Sequence, residues 1–184
     1  MISTLIKTLT ASDSAYLDFV DGTASVVLDS TYDHYMFVCT DIRPEVDSSE
    51  FMFQVNATDD AGGSYDNTIT SSTFEAIHNE DGSGGGVAYS TGADLAQGTG
   101  FQTLAMDIGN GADESCAGIL HLFKPASTTY VKHFYAEFSG YQLNNYAIHD
   151  FAAGYINDTT AIDEIRFKMS SDNFTGVIQL YGIA

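Results

Sequence analysis

The stretch Ala161–Ala184, AIDEIRFKMSSDNFTGVIQLYGIA, decides how the rest of the chain is read. It divides into two apolar segments, Ile162–Met169 and Val177–Ile183, with the polar connector Ser170–Gly176 between them. In the first, Ile165, Phe167 and Met169 share one face while Arg166 and Lys168 share the other. That period of two marks a half-buried strand. In the second, Ile178 and Leu180 oppose Val177, Gln179 and Tyr181. A terminal run this apolar needs a surface to cover it. The expectation is a terminal β-hairpin lying centrally in a sheet core.

The same alternation recurs upstream. Ser12–Phe19 reads as a first strand, with Ala15, Leu17 and Phe19 on one face, closed by an Asp21-Gly22 turn. His34–Ile42 is apolar on both faces, as a buried strand is, and Arg43-Pro44 ends it. Phe51–Ala57, the more polar Tyr65–Phe74, Phe101–Ile108, Ser115–Lys124, Tyr130–Phe138 and Tyr146–Ile156 continue the series. Between them Asn79–Gly86 (NEDGSGGG) reads as an exposed tip, and Val87–Gly100 as a surface connection with a helical turn at Ala93–Gln97. The pattern predicts an all-β protein: a single antiparallel β-sandwich, jelly-roll-like, of about nine strands with one long irregular central connection. Residues 1–10 form an N-terminal segment available as an interface arm, and residues 11–184 the β-sandwich domain.

Charge narrows the partners. Among 184 residues, 25 acids face six bases, for a net charge of −19. Such a surface repels nucleic acid and anionic lipid, whose phosphates require clustered Lys and Arg. Dense acid suits solubility in a salty medium, where screening shortens repulsion, with cation binding as the alternative. Cys39 and Cys116 sit inside apolar alternating stretches and are expected as buried free thiols. Met1–Lys7 lacks the basic and then apolar regions of a secretion leader, and no apolar run approaches the ~20 residues of a membrane span. A protein made in a cytoplasm, reaching any outside location within an assembled particle, is the expectation.

Three acid-and-glycine loops offer oxygen ligands: Asp59–Asp66, Asn79–Gly86 and Asp107–Glu114. Calcium would draw on Asp59, Asp60, Asp66, Asp107, Asp113 and Glu114, yet none of the loops has EF-hand or nonapeptide spacing. Asp, Asn and Gly in β-protein loops ordinarily form turns. Asp81-Gly82-Ser83-Gly84-Gly85 scrambles the order of a serine-protease signature, and no Gly-x-Ser-x-Gly elbow occurs. His34, His78, His121, His133 and His149 lack metal-site spacing, although His121 and His133 fall on neighbouring strands and could meet. No catalytic and no cofactor-binding residue is predicted, and the chain is not expected to be an enzyme. Carbohydrate binding is the rival reading. Trp, the usual sugar platform, is absent, but 11 tyrosines are available.

Three stretches carry a resemblance. They are Asp29-Ser-Thr-Tyr-Asp33 leading into a strand that ends Asp41-Ile-Arg-Pro44, then Ser127–His133 (STTYVKH), then Ala161–Ile183 with its Lys-Met-Ser-Ser-Asp-Asn-Phe-Thr-Gly centre. Together they resemble small virion structural proteins of tailed bacteriophages, particularly those of marine phages. The resemblance implies a β-sandwich or jelly-roll subunit on the particle exterior, a capsid decoration (cement) protein or part of a tail appendage or fibre, located in the virion. It transfers no catalytic residues. The implied partners are copies of itself, a trimer being one closed arrangement, and other virion proteins, without nucleic acid or membrane. The candidate interface residues are Ile2, Leu5, Ile6 and Leu9 of the N-terminal segment and the late tyrosines Tyr141, Tyr146 and Tyr155. The alternative is a receptor-recognising module that binds a glycan.

Overall fold

The computed structural model describes residues 2–59 and 63–184, and every regular element among them is a β-strand. In chain order these are β1 (Ser3–Ser14), β2 (Leu17–Val20), β3 (His34–Pro44), β4 (Ser49–Ala57), β5 (Ile69–Asn79), β6 (Gly85–Tyr89) and β7 (Ala96–Gly98). There follow β8 (Gln102–Ile108), β9 (Cys116–Phe123), β10 (Lys132–Gln142), β11 (Tyr146–Ile156), β12 (Ile162–Met169) and β13 (Phe174–Ile183). All pairings are antiparallel.

The strands follow one another as β1-β13-β3-β9-β10-β8-β4-β12-β2, with β11, β5 and the short β6 and β7 branching beyond β10. One pair, Gln142 with Ile108, carries the path from β10 to β8. Since β1 and β2 are consecutive in the chain, the antiparallel sheet returns almost to its start and nearly closes into a barrel. One side is a larger wall, β1-β13-β3-β9-β10-β11-β5; the other is β8-β4-β12-β2.

Phenylalanine fills the space between. Phe37, Phe134, Phe138 and Phe174 project from the larger wall, and Phe19, Phe51, Phe53 and Phe167 from the smaller. Rings meet across the gap at 5.4 Å (Phe19–Phe37), 5.3 Å (Phe37–Phe167), 5.8 Å (Phe51–Phe138) and 5.1 Å (Phe53–Phe134). Each buried ring contributes ~1.5–3 kcal/mol of transfer free energy, so this cluster is the main force holding the walls together.

Four expectations change. The terminal segments are strands with the predicted inner faces, Ile165, Phe167 and Met169 on β12 and Ile178 and Leu180 on β13. They do not form a hairpin. β12 pairs with β4 and β2, whereas β13 pairs with β1 and β3, so the connector crosses from one wall to the other. Alternation reports which side chains share a face, and it is blind to which wall a strand joins. The proposed strand Ser12–Phe19 is broken at Ala15-Tyr16, where the chain turns the corner between walls.

The N-terminal segment is not a free arm. Ser3–Ala11 pairs with β13 along its length, and Ile6 and Leu9 pack against the core. A register shift between Leu5 and Lys7 puts its inward residues three apart, which hides the period of two. The connection between β5 and β8 contains β6 and β7 laid on β5 and no helical turn at Ala93–Gln97, which raises the count to thirteen strands among the described residues. Asn79–Gly86 spans a β5–β6 hairpin turn, with Gly82 at φ 73° and Asp81 accepting the Ser83 amide at 2.7 Å.

Three strands carry bulges at aspartate. Asp13, Asp41 and Asp107 have φ of 53°, 53° and 51°, at shifts in β1, β3 and β8. Aspartate tolerates the left-handed region better than most residues, so these acids bend strands without ending them.

Candidate functional site

The larger wall has two faces, and only one covers the core. Its other face points outward from β13, β3, β9, β10, β11, β5 and β6. One row of directly opposed residues runs Gln179, Val38, Ile119, Glu137, Phe151, Phe74, Tyr89. The next runs Tyr181, Met36, His121, Tyr135, Ala153, Ser72. Flanking rows add His34, Phe123, His133 and Tyr155 on one side and Ala117, Ser139, His149, Ala76 and Val87 on the other.

Two properties set this face apart. Across these four rows Glu137 is the one carboxylate, and there is no lysine or arginine, in a chain that carries 25 acids. The face also gathers all five histidines, with His78 at its border opposite Ala147. Phe74 (44% exposed), Tyr135 (42%), Tyr89 (56%) and Val87 (73%) are open to solvent here, and Leu5 is exposed at the opposite edge of the wall beside Tyr181. Charge depletion with aromatic enrichment is the composition of an interface centre. His34–Ile42 was expected to be buried on both sides. In fact Tyr35, Phe37 and Cys39 face the core, while Met36 and Val38 lie on this half-covered outer face.

The rings on the face are stacked into a ladder. His34 lies 4.6 Å from Phe123, and His121 4.4 Å from Tyr135. Farther along, Phe74 stacks on Phe151 at 4.6 Å and His149 on Phe151 at 4.1 Å. Nε2 of His34 and Nδ1 of His121 are 2.7 Å apart. Their ring centroids stand 4.9 Å apart, close to that N···N distance plus a ring radius at each end, so the nitrogens point at one another. This is the geometry of an N–H···N hydrogen bond, since lone pairs chelating one metal would converge at an angle. Burial lowers the pKa of both imidazoles, and the neighbouring His34 lowers that of His121 further against the opposing effect of Glu137. His121 does not meet His133; it faces Tyr135 across the strands, and His133 packs on Tyr155.

No protein-family model and no curated protein matches this chain.

The remaining sequence candidates are dispersed. Asp60 lies outside the described residues. Asp59 accepts the Thr160 hydroxyl at 3.1 Å, and Asp107 is a bulge residue that accepts Ser48 Oγ at 2.9 Å. Glu114 folds back to accept the Gly111 amide at 2.5 Å, and Asp66 and Asp113 are exposed. Among the described residues, no three His, Cys, Asp or Glu side chains are grouped to hold a metal ion. Of the interface candidates, Ile2 and Leu5 are exposed, Tyr141 and Tyr155 lie on the outer face, and Ile6 and Leu9 turn inward. Tyr146, opposite Gln142 at the start of β11, has the opposite parity. Cys39 and Cys116 are buried free thiols, as expected, and burial raises both pKa values.

Three other polar groupings stand out. Arg166 forms a bidentate pair with Asp18 at 2.6–2.7 Å and lies between the rings of Tyr16 and Tyr65. The fully buried Lys132 donates to the carbonyls of Asp158 and Thr160, tying down the loop before β12. An open cleft of about 340 Å³ between the loops after β2 and after β9 is lined by Asp29, Tyr32, Asp33, Lys124 and Tyr130.

Sequence reasoning passed over Phe74, Val87, Tyr89 and Ile119 as surface groups. The signal was present: the outward half of β9 (Ala117, Ile119, His121, Phe123) is as apolar as its inward half.

Proposed function

We propose that the chain is a non-enzymatic structural subunit that works through protein–protein contacts, a bacteriophage virion protein of the decoration or tail-appendage kind. In this reading its two facing walls are a jelly-roll-like β-sandwich, and its location is the exterior of the particle. The observation that carries the proposal is the acid-depleted aromatic face of the larger wall, the surface expected of a subunit held in an assembly. The resemblance of Asp29–Asp33, Ser127–His133 and the terminal strands to virion proteins names the kind of assembly.

Density-gradient purification of particles from a culture that makes this protein, followed by mass spectrometry of the bands, tests it. The chain is expected in the particle band at a fixed ratio to the shell protein. Recovery only from the unassembled fraction refutes the proposal.

One observation favours glycan recognition as the second reading. The cleft between Tyr32 and Tyr130 sets an exposed ring (Tyr130, 71% exposed) beside the polar groups of Asp29, Asp33 and Lys124, a mixture that suits a sugar's apolar face and hydroxyl edge. A glycan array separates the readings: saturable binding abolished by Tyr130→Ala supports the glycan module, and no binding to any glycan removes it.

A further inference from the structure

We propose that the outer face of the larger wall binds a second copy of this chain, face to face. The inference rests on the reading of the protein as a contact-making subunit and names the partner of that contact.

Acids are nearly absent from this face. The chain carries 25 acids, and the four central rows of this face hold one, Glu137. A cationic partner is steered and held by carboxylates opposite its Lys and Arg, so a face built for such a partner keeps its acids. A partner bearing the same negative charge demands the reverse, because carboxylates pressed against carboxylates oppose binding. Clearing acids from one face, while the molecule as a whole stays at −19, fits an acidic partner. A second copy is an acidic body whose own face is cleared in the same way, and an isologous contact brings the two cleared faces together.

Size agrees with this. Six strands spaced ~4.8 Å apart, each contributing seven residues at ~3.4 Å, with the five-residue β6 at one edge, make a patch of up to about 34 by 24 Å. That is on the order of 800 Å² per copy, the area a stable two-body interface takes from each partner. Exposed Tyr135, Phe74, Tyr89 and Val87 supply anchors that interdigitate when sheet faces stack. The five imidazoles add hydrogen-bonding groups to the same face.

Sedimentation velocity over a concentration series, at neutral pH in about 0.15 M salt, tests the proposal. The wild-type chain is expected to dimerise. Tyr135→Glu and Phe74→Glu, each placing a carboxylate on the face, are expected to weaken the dimer at least tenfold, with melting temperatures reporting that both variants fold. Tyr135→Ser and Phe74→Ser serve if either fails to fold. Val46→Glu, at an exposed apolar residue off this face, is expected to leave the dimer intact. A wild-type chain that stays monomeric throughout, or a dimer indifferent to the face variants, overturns the inference. A monomer that is nevertheless built into particles overturns this inference alone; a dimer formed through this face by a chain absent from particles overturns the particle reading alone.

Discussion

Nε2 of His34 and Nδ1 of His121 stand 2.7 Å apart and aimed at each other, so the two imidazoles share one proton between β3 and β9. A proton placed on the acceptor nitrogen leaves two donors facing each other, which breaks the bond. Glu137 is the carboxylate acting on His121, and the Asp33–Lys124 ion pair lies at the adjoining strand ends.

Burial lowers the pKa of both imidazoles, with His34 adding to the effect on His121, so both are expected to titrate below the ordinary histidine value of about 6.5. The unfolded chain then binds more protons than the folded one as pH falls below that value. Stability present in full above it is lost as pH drops through the folded-state values. Imidazole NMR titration measures the pair directly; midpoints above about 6.5 for both rings contradict the effect of burial. His121→Phe is expected to flatten the loss of stability between about pH 7 and 5.

Asp150 has the opposite sign. Its carboxyl is buried, one oxygen accepts the Met106 amide of β8 at 3.0 Å, and burial pushes its pKa up to about 7. The unfolded value is ~3.9, so between the two the folded chain holds more protons and stability falls as pH rises, by at most about 1.4 kcal/mol per pH unit. Asp150→Asn is expected to remove that slope. In denaturant melts it should gain stability on the wild type from about pH 5 to 8. Parallel curves for the two proteins across that range contradict the buried acid.

Phe167 touches Phe19, Phe37, Phe51 and Phe53, with ring centroids 5.3–6.5 Å away, and joins both walls. Phe167→Ala is expected to cost ~3–5 kcal/mol, and Phe167→Leu less, because the cavity left is smaller. Chemical denaturation provides the number. A loss under about 1 kcal/mol for the alanine variant would mean the walls are held together elsewhere.

The first strand separates two roles of the N-terminal segment, docking on the core and lining the outer face. Leu9 packs on the core and Leu5 is half exposed beside the outer face. Leu9→Asp is expected to lower the melting temperature by burying a carboxylate, while Leu5→Asp leaves it nearly unchanged. Equal effects would show that β1 is not docked by its inward residues.

Much of the architecture follows from short-range pattern. In β11 the boundaries Tyr146 and Ile156 match the alternating stretch end for end, and in β12 and β13 the inward residues are those the period of two selects. β1 escaped because its register shift at Leu5 and Lys7 breaks that period. β6 escaped because Gly85, Gly86 and Ala88 carry no pattern, and β5 alone holds it in place. The outer face was visible in β3 and β9 as apolarity on both sides, but two-sided apolarity reads as burial within the same molecule until the neighbours are known.

Acid content, strand content and the inner half of most strands are thus properties of the residues themselves, because charge adds up along a chain and side-chain direction in a strand depends only on parity. Neighbours are another matter. Residues 34, 78, 121, 133 and 149 are far apart in the chain, and parity within each strand is indifferent to the strand beside it. Antiparallel register between distant segments places all five imidazoles on one face, just as it sends β12 and β13 to opposite walls. That register is set by the packing of the whole phenylalanine core, a property that no window of sequence contains.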